Sequence, residues 1–436
     1  MNTGGWPSET VITWQAPPVR FGLGATREVG YEARQLGLRS VLLVTDPQLW
    51  QAGLPQRVEK LLAADGISVR AFHETEIEPT DRGIEQAARR TDGAGVDGYI
   101  AVGGGSSIDT AKMLSLLHSY PGVPVARYLN RPVGDGEPVP GPVRPLIAVP
   151  TTSGTGSECT AMVALEVSEL RVKTGIADRR LTPAVAIVDP LNTVTMPAAV
   201  TAASGYDVLC HACESYTARP FDHRPPYPAP EDRPIYVGAN PISDVWAEQA
   251  LRLTGRYLRR AVLNPHDLRA RAGMSQAALF AGLGFGNAGT HIPHACAYPI
   301  AGLARDYVPA GYPSGRAFVP HGQAVVATAP AAFAFTFAAA PERHIRAAEL
   351  LAAGAGARLD GVDAAGPDLL PGMIRDLVRD TGGSTGIAAF GFGTDDISDL
   401  IDGAVRQQRL LSCCPRDVTA TDLERIFAGS LAEEPR

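Results

Sequence analysis

A chain of 436 residues is too long for one hydrophobic core and calls for two domains. With 45% hydrophobic and 19% charged residues it has the composition of a globular protein, and a net charge of -7 argues against nucleic acid or an anionic membrane as a main partner. No apolar run is expected to reach the ~18 residues that a bilayer span needs.

In chain order, residues 40–45 (SVLLVT) form a buried strand that ends at Asp46-Pro47. Residues 58–64 have a helical pattern, 68–73 (SVRAFH) return as a strand, and 82–90 are helical. The strand 98–102 (GYIAV) runs into the glycine turn 103–107 and then the helix 108–118; further strands are expected at 146–149 and 184–188. This alternation is that of a parallel-sheet α/β domain. Beyond about residue 195 strand-like runs nearly disappear, and Ala- and Leu-rich helical patterns take over at 244–258, 267–283, 341–352 and 368–380. Residues 1–195 are therefore expected to form a dinucleotide-binding α/β domain and residues 196–436 an all-α domain. Two excursions interrupt the helical half: 219–241, whose seven prolines forbid a helix, and 305–320.

The turn Gly103-Gly104-Gly105-Ser106-Ser107 joins a buried strand to a helix. Glycines let backbone approach a ligand closely, and the N–H groups at a helix start favour an anion. Ser106 or Ser107 is expected to cap the helix, with Asp109 as the acid of a capping box. Asp46 stands at a strand end, where a carboxylate can accept hydrogen bonds from a ribose diol. A second polar turn, 150–158 (PTTSGTGSE), also follows a strand and offers hydroxyls and amides. Together the three features favour a dinucleotide.

In the helical half, Asp207 and His211 are four residues apart, which places both on one face of a helix. His291, His294 and His321 follow in segments rich in small residues. One carboxylate with two or three imidazoles suits a divalent transition metal with a coordination position open to substrate. The spacing alone leaves open which of His291 and His294 is a ligand.

The runs GGGSSIDTAK (103–112) and PTTSGTGSE (150–158), with D-x-x-x-H and PHG, resemble the iron-containing alcohol dehydrogenase superfamily over nearly the whole chain. The resemblance implies a Rossmann-like N-terminal domain, an all-α C-terminal domain (the dehydroquinate synthase-like fold) and a metal in the cleft between them. It implies Asp207, His211, His294 and His321 as metal ligands. Dinucleotide contacts would come from Asp46, Gly103, Gly104, Gly105, Ser106, Thr151 and Thr152, with Lys173 near the ribose. TWQAPPVRFGLGATREVG (13–30), HIPHACAYPIAG (291–302) and PERHIRAAELL (341–351) are similar to the hydroxyacid-oxoacid transhydrogenase branch. That branch implies oxidation of 4-hydroxybutyrate to succinate semialdehyde with reduction of 2-oxoglutarate to 2-hydroxyglutarate, the NAD(P) staying tightly bound. The alternative is an NAD(P)-dependent dehydrogenase acting on another alcohol or aldehyde. Tyr298 stands where many family members carry a second histidine, and Cys296 where the branch usually carries Met. His291 or Tyr298 would relay the hydroxyl proton. The expected metal is Fe(II), with Zn(II) an alternative that the Irving–Williams order keeps open. Arg305 and Arg316 are chemical candidates for a substrate carboxylate.

The six cysteines, 159, 210, 213, 296, 413 and 414, are too few and too irregular for a disulfide framework, which fits a reducing compartment. The opening residues show neither a secretory nor an amphipathic Arg-rich transit pattern, so the expected location is cytoplasmic. Small substrates, without nucleic acid or membrane, are the expected partners, and assembly into a homo-oligomer is left open.

Overall fold

The computed structural model describes residues 8–91, 95–170, 172–312, 317–359 and 366–431. Contacts divide the chain into two units, one comprising Ala16–Pro197 with Asn264–Ser275 and the other the described residues of Met1–Gln15, Ala198–Leu263 and Gln276–Arg436. The sequence gives no sign of two of these memberships: the N-terminal stretch belongs with the helices, and 264–275 belongs with the sheet.

The α/β unit is built on strands β1 (Val19–Phe21), β2 (Ser40–Val44), β3 (Ser68–Phe72), β4 (Gly98–Gly103), β5 (Leu146–Pro150) and β8 (Val185–Val188). They form one parallel sheet in the order β1-β8-β5-β4-β2-β3. Successive residues of each strand feed opposite faces. Val41 and Leu43, Ile100 and Val102, and Ile147 and Val149 enter one core. Leu42 and Val44, Tyr99 and Ala101, and Leu146 and Ala148 enter the other. A sheet covered on both faces has no polar alternation, which is why these strands read as continuous apolar runs. β1 and the antiparallel pair β6 (Met162–Val167) and β7 (Val172–Ala177) are additions to the sequence reading.

After β2 the chain moves outward to β3, and after β4 it moves the other way to β5. The carboxyl ends of β2 and β4 thus flank a topological switch point, the place where open α/β sheets bind ligands. Asp46 follows β2 and the glycine turn follows β4.

In the helical unit, His321–Thr336 packs against both Ala198–Thr217 and Ile292–Gly302. One expectation is corrected here. The 19-residue stretch His321–Ala339 is long and apolar enough to cross a membrane, and it is the one such helix among the described residues. It is 61% buried within the fold, and Val325, Val326 and Phe333 have no exposed surface, which is how a core helix uses an all-round apolar sequence.

Candidate active site

The glycine turn differs from its expected capping. The helix starts at Gly105, its N-cap is Gly104, and no side chain caps it. Neither Ser106 nor Ser107 does so, because both already lie inside the first turn. Asp109 is buried and faces inward: its Oδ2 accepts the Ala164 N–H at 2.9 Å, and its Oδ1 lies 3.5 Å from Lys112 Nζ. Burial raises the Asp109 pKa against the pull of Lys112, and burial lowers that of Lys112. The pair ties this helix to β6, since Lys112 Nζ also donates to the carbonyls of Thr160 at 3.0 Å and Met162 at 2.6 Å. An uncapped first turn retains N–H donors for an anion.

The second polar turn lies against the first. Thr151 N donates to Gly103 O at 3.0 Å. A Cβ at Gly104 would lie 3.3 Å from Thr152, and one at Gly105 only 2.8 Å from Thr155. Glycine at 105 is therefore what allows the two turns to meet. Asp46 has a role of its own, as its Oδ1 accepts from Gln48 N at 3.0 Å and Leu49 N at 2.9 Å and so caps the helix Pro47–Ala52. Burial raises its pKa against those two bonds. Lys173, buried on β7, is paired with Glu78, whose N–H lies 3.4 Å from Ser106 Oγ. Glu78 has φ +59°, a conformation that costs energy in a non-glycine residue. The contacts running from Lys173 through Glu78 to Ser106 bring Lys173 to the end of the sheet where the glycine turn lies. Asp46, the glycine turn, Thr151, Thr152 and Lys173 thus all gather at the carboxyl side of this sheet.

The second cluster is in the helical unit. Asp207 and His211 lie one turn apart on the helix Ala198–Thr217, His294 is in the first turn of Ile292–Gly302, and His321 opens His321–Thr336. Gly322 is what seats the last of these. A Cβ there would overlap the Ala203 carbonyl and stand 3.0 Å from Asp207 N, so only glycine lets the chain next to His321 lie against that helix.

Asp207 Oδ1 is 3.4 Å from His294 Nε2, 3.5 Å from His211 Nε2 and 3.8 Å from His321 Nε2. Asp207, His211 and His294 are buried, and both Asp207 Oδ1 and His294 Nε2 lack a hydrogen-bond partner. An unpaired buried carboxylate oxygen facing an unpaired imidazole nitrogen is expensive. Donors held at about 2.1 Å around one tetrahedral ion are roughly 3.4 Å from each other. The observed spacing is that of atoms sharing a cation, so Asp207, His211 and His294 fit a divalent ion, with His321 beside Asp207 as the fourth candidate. Burial pushes Asp207 up, but the surrounding imidazoles outweigh it and hold the carboxyl well below the usual range. Burial lowers His211 to about 3. For His294 burial also acts downward, but Glu214 and Asp207 reverse it and raise the pKa to about 9.

Glu214, which sequence reading missed, adjoins this cluster. It lies seven residues beyond Asp207 on the same helix face, has no exposed surface, and its Oε1 is 2.5 Å from His294 Nδ1. Burial raises its pKa, but His294 more than compensates and leaves it lowered. His291 does not join the cluster. It has no exposed surface, its Nε2 bonds Thr217 Oγ1 at 3.1 Å, and burial lowers it to about 4. That position is beneath Glu214, whose Oε2 accepts the His291 backbone N–H at 2.6 Å. Tyr298 is 7% exposed, with its ring centroid 6.3 Å from that of His321. Cys296 is fully buried. Arg305 is ion-paired with Asp396 at 2.8 Å on an exposed surface, and Arg316 lies outside the described residues.

A parallel α/β unit with an anion-ready turn, together with a helical unit carrying one carboxylate and three imidazoles, defines a metal- and nucleotide-dependent type of oxidoreductase. The chain belongs to the iron-containing alcohol dehydrogenase family: residues 16–190 match the family "Iron-containing alcohol dehydrogenase" and residues 235–431 match "Fe-containing alcohol dehydrogenase family, C-terminal". It is an oxidoreductase acting on CH–OH groups. It is 45% identical to the hydroxyacid-oxoacid transhydrogenase, mitochondrial, of Rattus norvegicus over 414 residues, 95% of this chain and 88% of the relative. Among solved structures it is similar to a 1,3-propanediol oxidoreductase (30% identity, 97% of this chain and 100% of the other, TM-score 0.83). It is also similar to a sulfoacetaldehyde reductase from Bifidobacterium kashiwanohense in complex with NAD+ (27%, 98% and 100%, 0.78). The cytoplasmic expectation is corrected by these relatives, since the rat, cattle and mouse proteins are all named as mitochondrial. The physical reason is that free thiols and moderate negative charge report a reducing, aqueous surrounding and do not distinguish one such compartment from another.

Proposed function

We propose that this chain is a hydroxyacid-oxoacid transhydrogenase in which Asp207, His211, His294 and His321 hold one Fe(II) ion and the turns at Gly103–Ser106 and Thr151–Thr152 hold NAD(P). The observation that carries the reading is the Asp207–imidazole spacing of 3.4 to 3.8 Å around two buried atoms without hydrogen bonds. The family match and the 45% identity to a transhydrogenase over most of the chain support it. When bound, the ion lowers the pKa of a hydroxyl and polarises a carbonyl, and the nicotinamide carries the hydride.

The chain's own residues supply position and charge. The uncapped N–H groups that follow Gly104 bind the pyrophosphate, and the pairing of Gly105 with Thr155 keeps that turn closed against its neighbour. Asp46 keeps Oδ1 on its helix cap and offers Oδ2 to a ribose hydroxyl. Lys173, held by Glu78, supports the ribose on the β7 side. Tyr298, beside His321, is the residue left to carry the hydroxyl proton.

The deciding experiment gives the purified protein 4-hydroxybutyrate and 2-oxoglutarate with no added NAD(P). Succinate semialdehyde and 2-hydroxyglutarate should form in equal amounts. Turnover that depends on stoichiometric free NAD(P) would instead identify an ordinary dehydrogenase. Elemental analysis of anaerobically purified protein should find about one iron per chain, the number that one four-donor site accommodates.

A further inference from the structure

We infer that Glu214 is a positioning residue of the metal centre, fixing His294 in the tautomer that presents a bare Nε2 toward Asp207. The inference rests on the ligand set proposed above and extends it to a residue outside that set.

Glu214 is fully buried, and a carboxylate is kept there only if both oxygens are satisfied. Oε1 is 2.5 Å from His294 Nδ1. Oε2 accepts the backbone N–H of His291 at 2.6 Å and, at a longer 3.5 Å, that of His294. A carboxylate only accepts, so the proton between Glu214 and His294 lies on Nδ1. In the neutral ring that a metal ligand must be, Nε2 then carries the lone pair, and it is this atom that stands 3.4 Å from Asp207 Oδ1. The same carboxylate receives the backbone N–H groups at the start of Ile292–Gly302, where no side chain of that helix acts as a cap. One residue therefore sets both the protonation pattern of the His294 ring and the placement of the turn that carries it. A carboxylate behind a ligating imidazole has this effect generally.

Glutamine at 214 cannot reproduce the arrangement, because a carboxamide has one acceptor and one donor end. With its oxygen toward Nδ1, its NH2 meets the His291 N–H donor. With its NH2 toward Nδ1, the His294 proton is forced onto Nε2, where a lone pair is required. Either orientation weakens the site.

The test compares the full-length wild type and Glu214→Gln by Co(II) affinity, measured by chelator competition, and by thermal unfolding with and without Co(II). The variant should bind Co(II) roughly 10- to 100-fold more weakly. The rise in Tm on adding Co(II) should shrink accordingly. Equal affinity and an equal Tm rise overturn the inference, even if both melting temperatures fall together, because that is the mark of a packing role alone. A wild type that fails to bind Co(II) stoichiometrically sinks the ligand set itself, and the inference with it. Should the variant not fold, a crystal structure of the zinc-loaded wild type decides. Zinc on His294 Nε2, with Glu214 on Nδ1, supports the proposal; zinc on Nδ1, or Glu214 turned onto the zinc, refutes it.

Discussion

The two candidate sites solve opposite electrostatic problems with opposite materials. The helical cluster gathers a carboxylate and imidazoles around a point suited to a positive charge. The glycine turn removes side chains, leaving helix-start N–H groups around a point suited to a negative charge. A cation site is thus written in side chains and is sensitive to deletion. An anion site is written in backbone and is sensitive to addition.

The largest effect that would test this contrast is deletion on the cation side. His321→Ala should lose bound metal, and with it about 4 kcal/mol of transition-state stabilisation, roughly a thousandfold in kcat/KM. Dinucleotide binding, followed by NADH fluorescence, should persist. Retention of full activity in metal-free His321→Ala would refute the ligand assignment. On the anion side the damaging change is an addition. Gly105→Ala forces a Cβ to within 2.8 Å of Thr155, and overpacking of this kind costs about 1–3 kcal/mol. NADH affinity should drop about tenfold or more, in line with that energy, while metal content is unchanged. Loss of metal in that variant would show that the two sites do not vary independently.

A smaller change separates the two roles of Asp46. Serine caps helices about as well as aspartate, so Asp46→Ser should alter stability by no more than roughly 0.5 kcal/mol. Loss of the carboxylate should nevertheless shift preference from NAD toward NADP, measured as the ratio of the two Kd values. An unchanged ratio would leave Asp46 as a cap and nothing more. The smallest effect is on pH dependence away from both sites. Burial lowers the pKa of His344, so the unfolded chain takes up a proton that the folded chain refuses. Its contribution to stability is present above the ordinary histidine value near 6.5 and is lost as pH falls below it. In metal-free protein the decline of Tm with falling pH should be shallower in His344→Gln, and an identical decline would contradict this.

Much of the architecture was legible because it depends on local pattern. The continuous apolar runs of β2, β4 and β5 announce a sheet buried on both faces, and three successive glycines between strand and helix announce close backbone approach. The i, i+4 spacing of Asp207 and His211 announces a shared face. The hairpin β6–β7 was not legible, because MVALEV and VKTGIA are short and mix strand and helix formers, and only their pairing with each other settles them. Glu214 was hidden for a related reason: nothing local distinguishes a glutamate facing His294 from one facing water. The capping role given to Ser106 and Ser107 failed because the helix starts at Gly105, three residues before the apolar pattern does at Ile108.

The sequence by itself determined the inventory of donors, the spacing along each helix and the turns that must be glycine, because those follow from covalent geometry and local sterics. Only the tertiary structure decided that Glu214 stands behind His294, that His291 lies against Thr217 and outside the Asp207 cluster, and that Gly322 lets His321 reach Asp207. Those relations join residues dozens of positions apart, and the packing of whole helices fixes them.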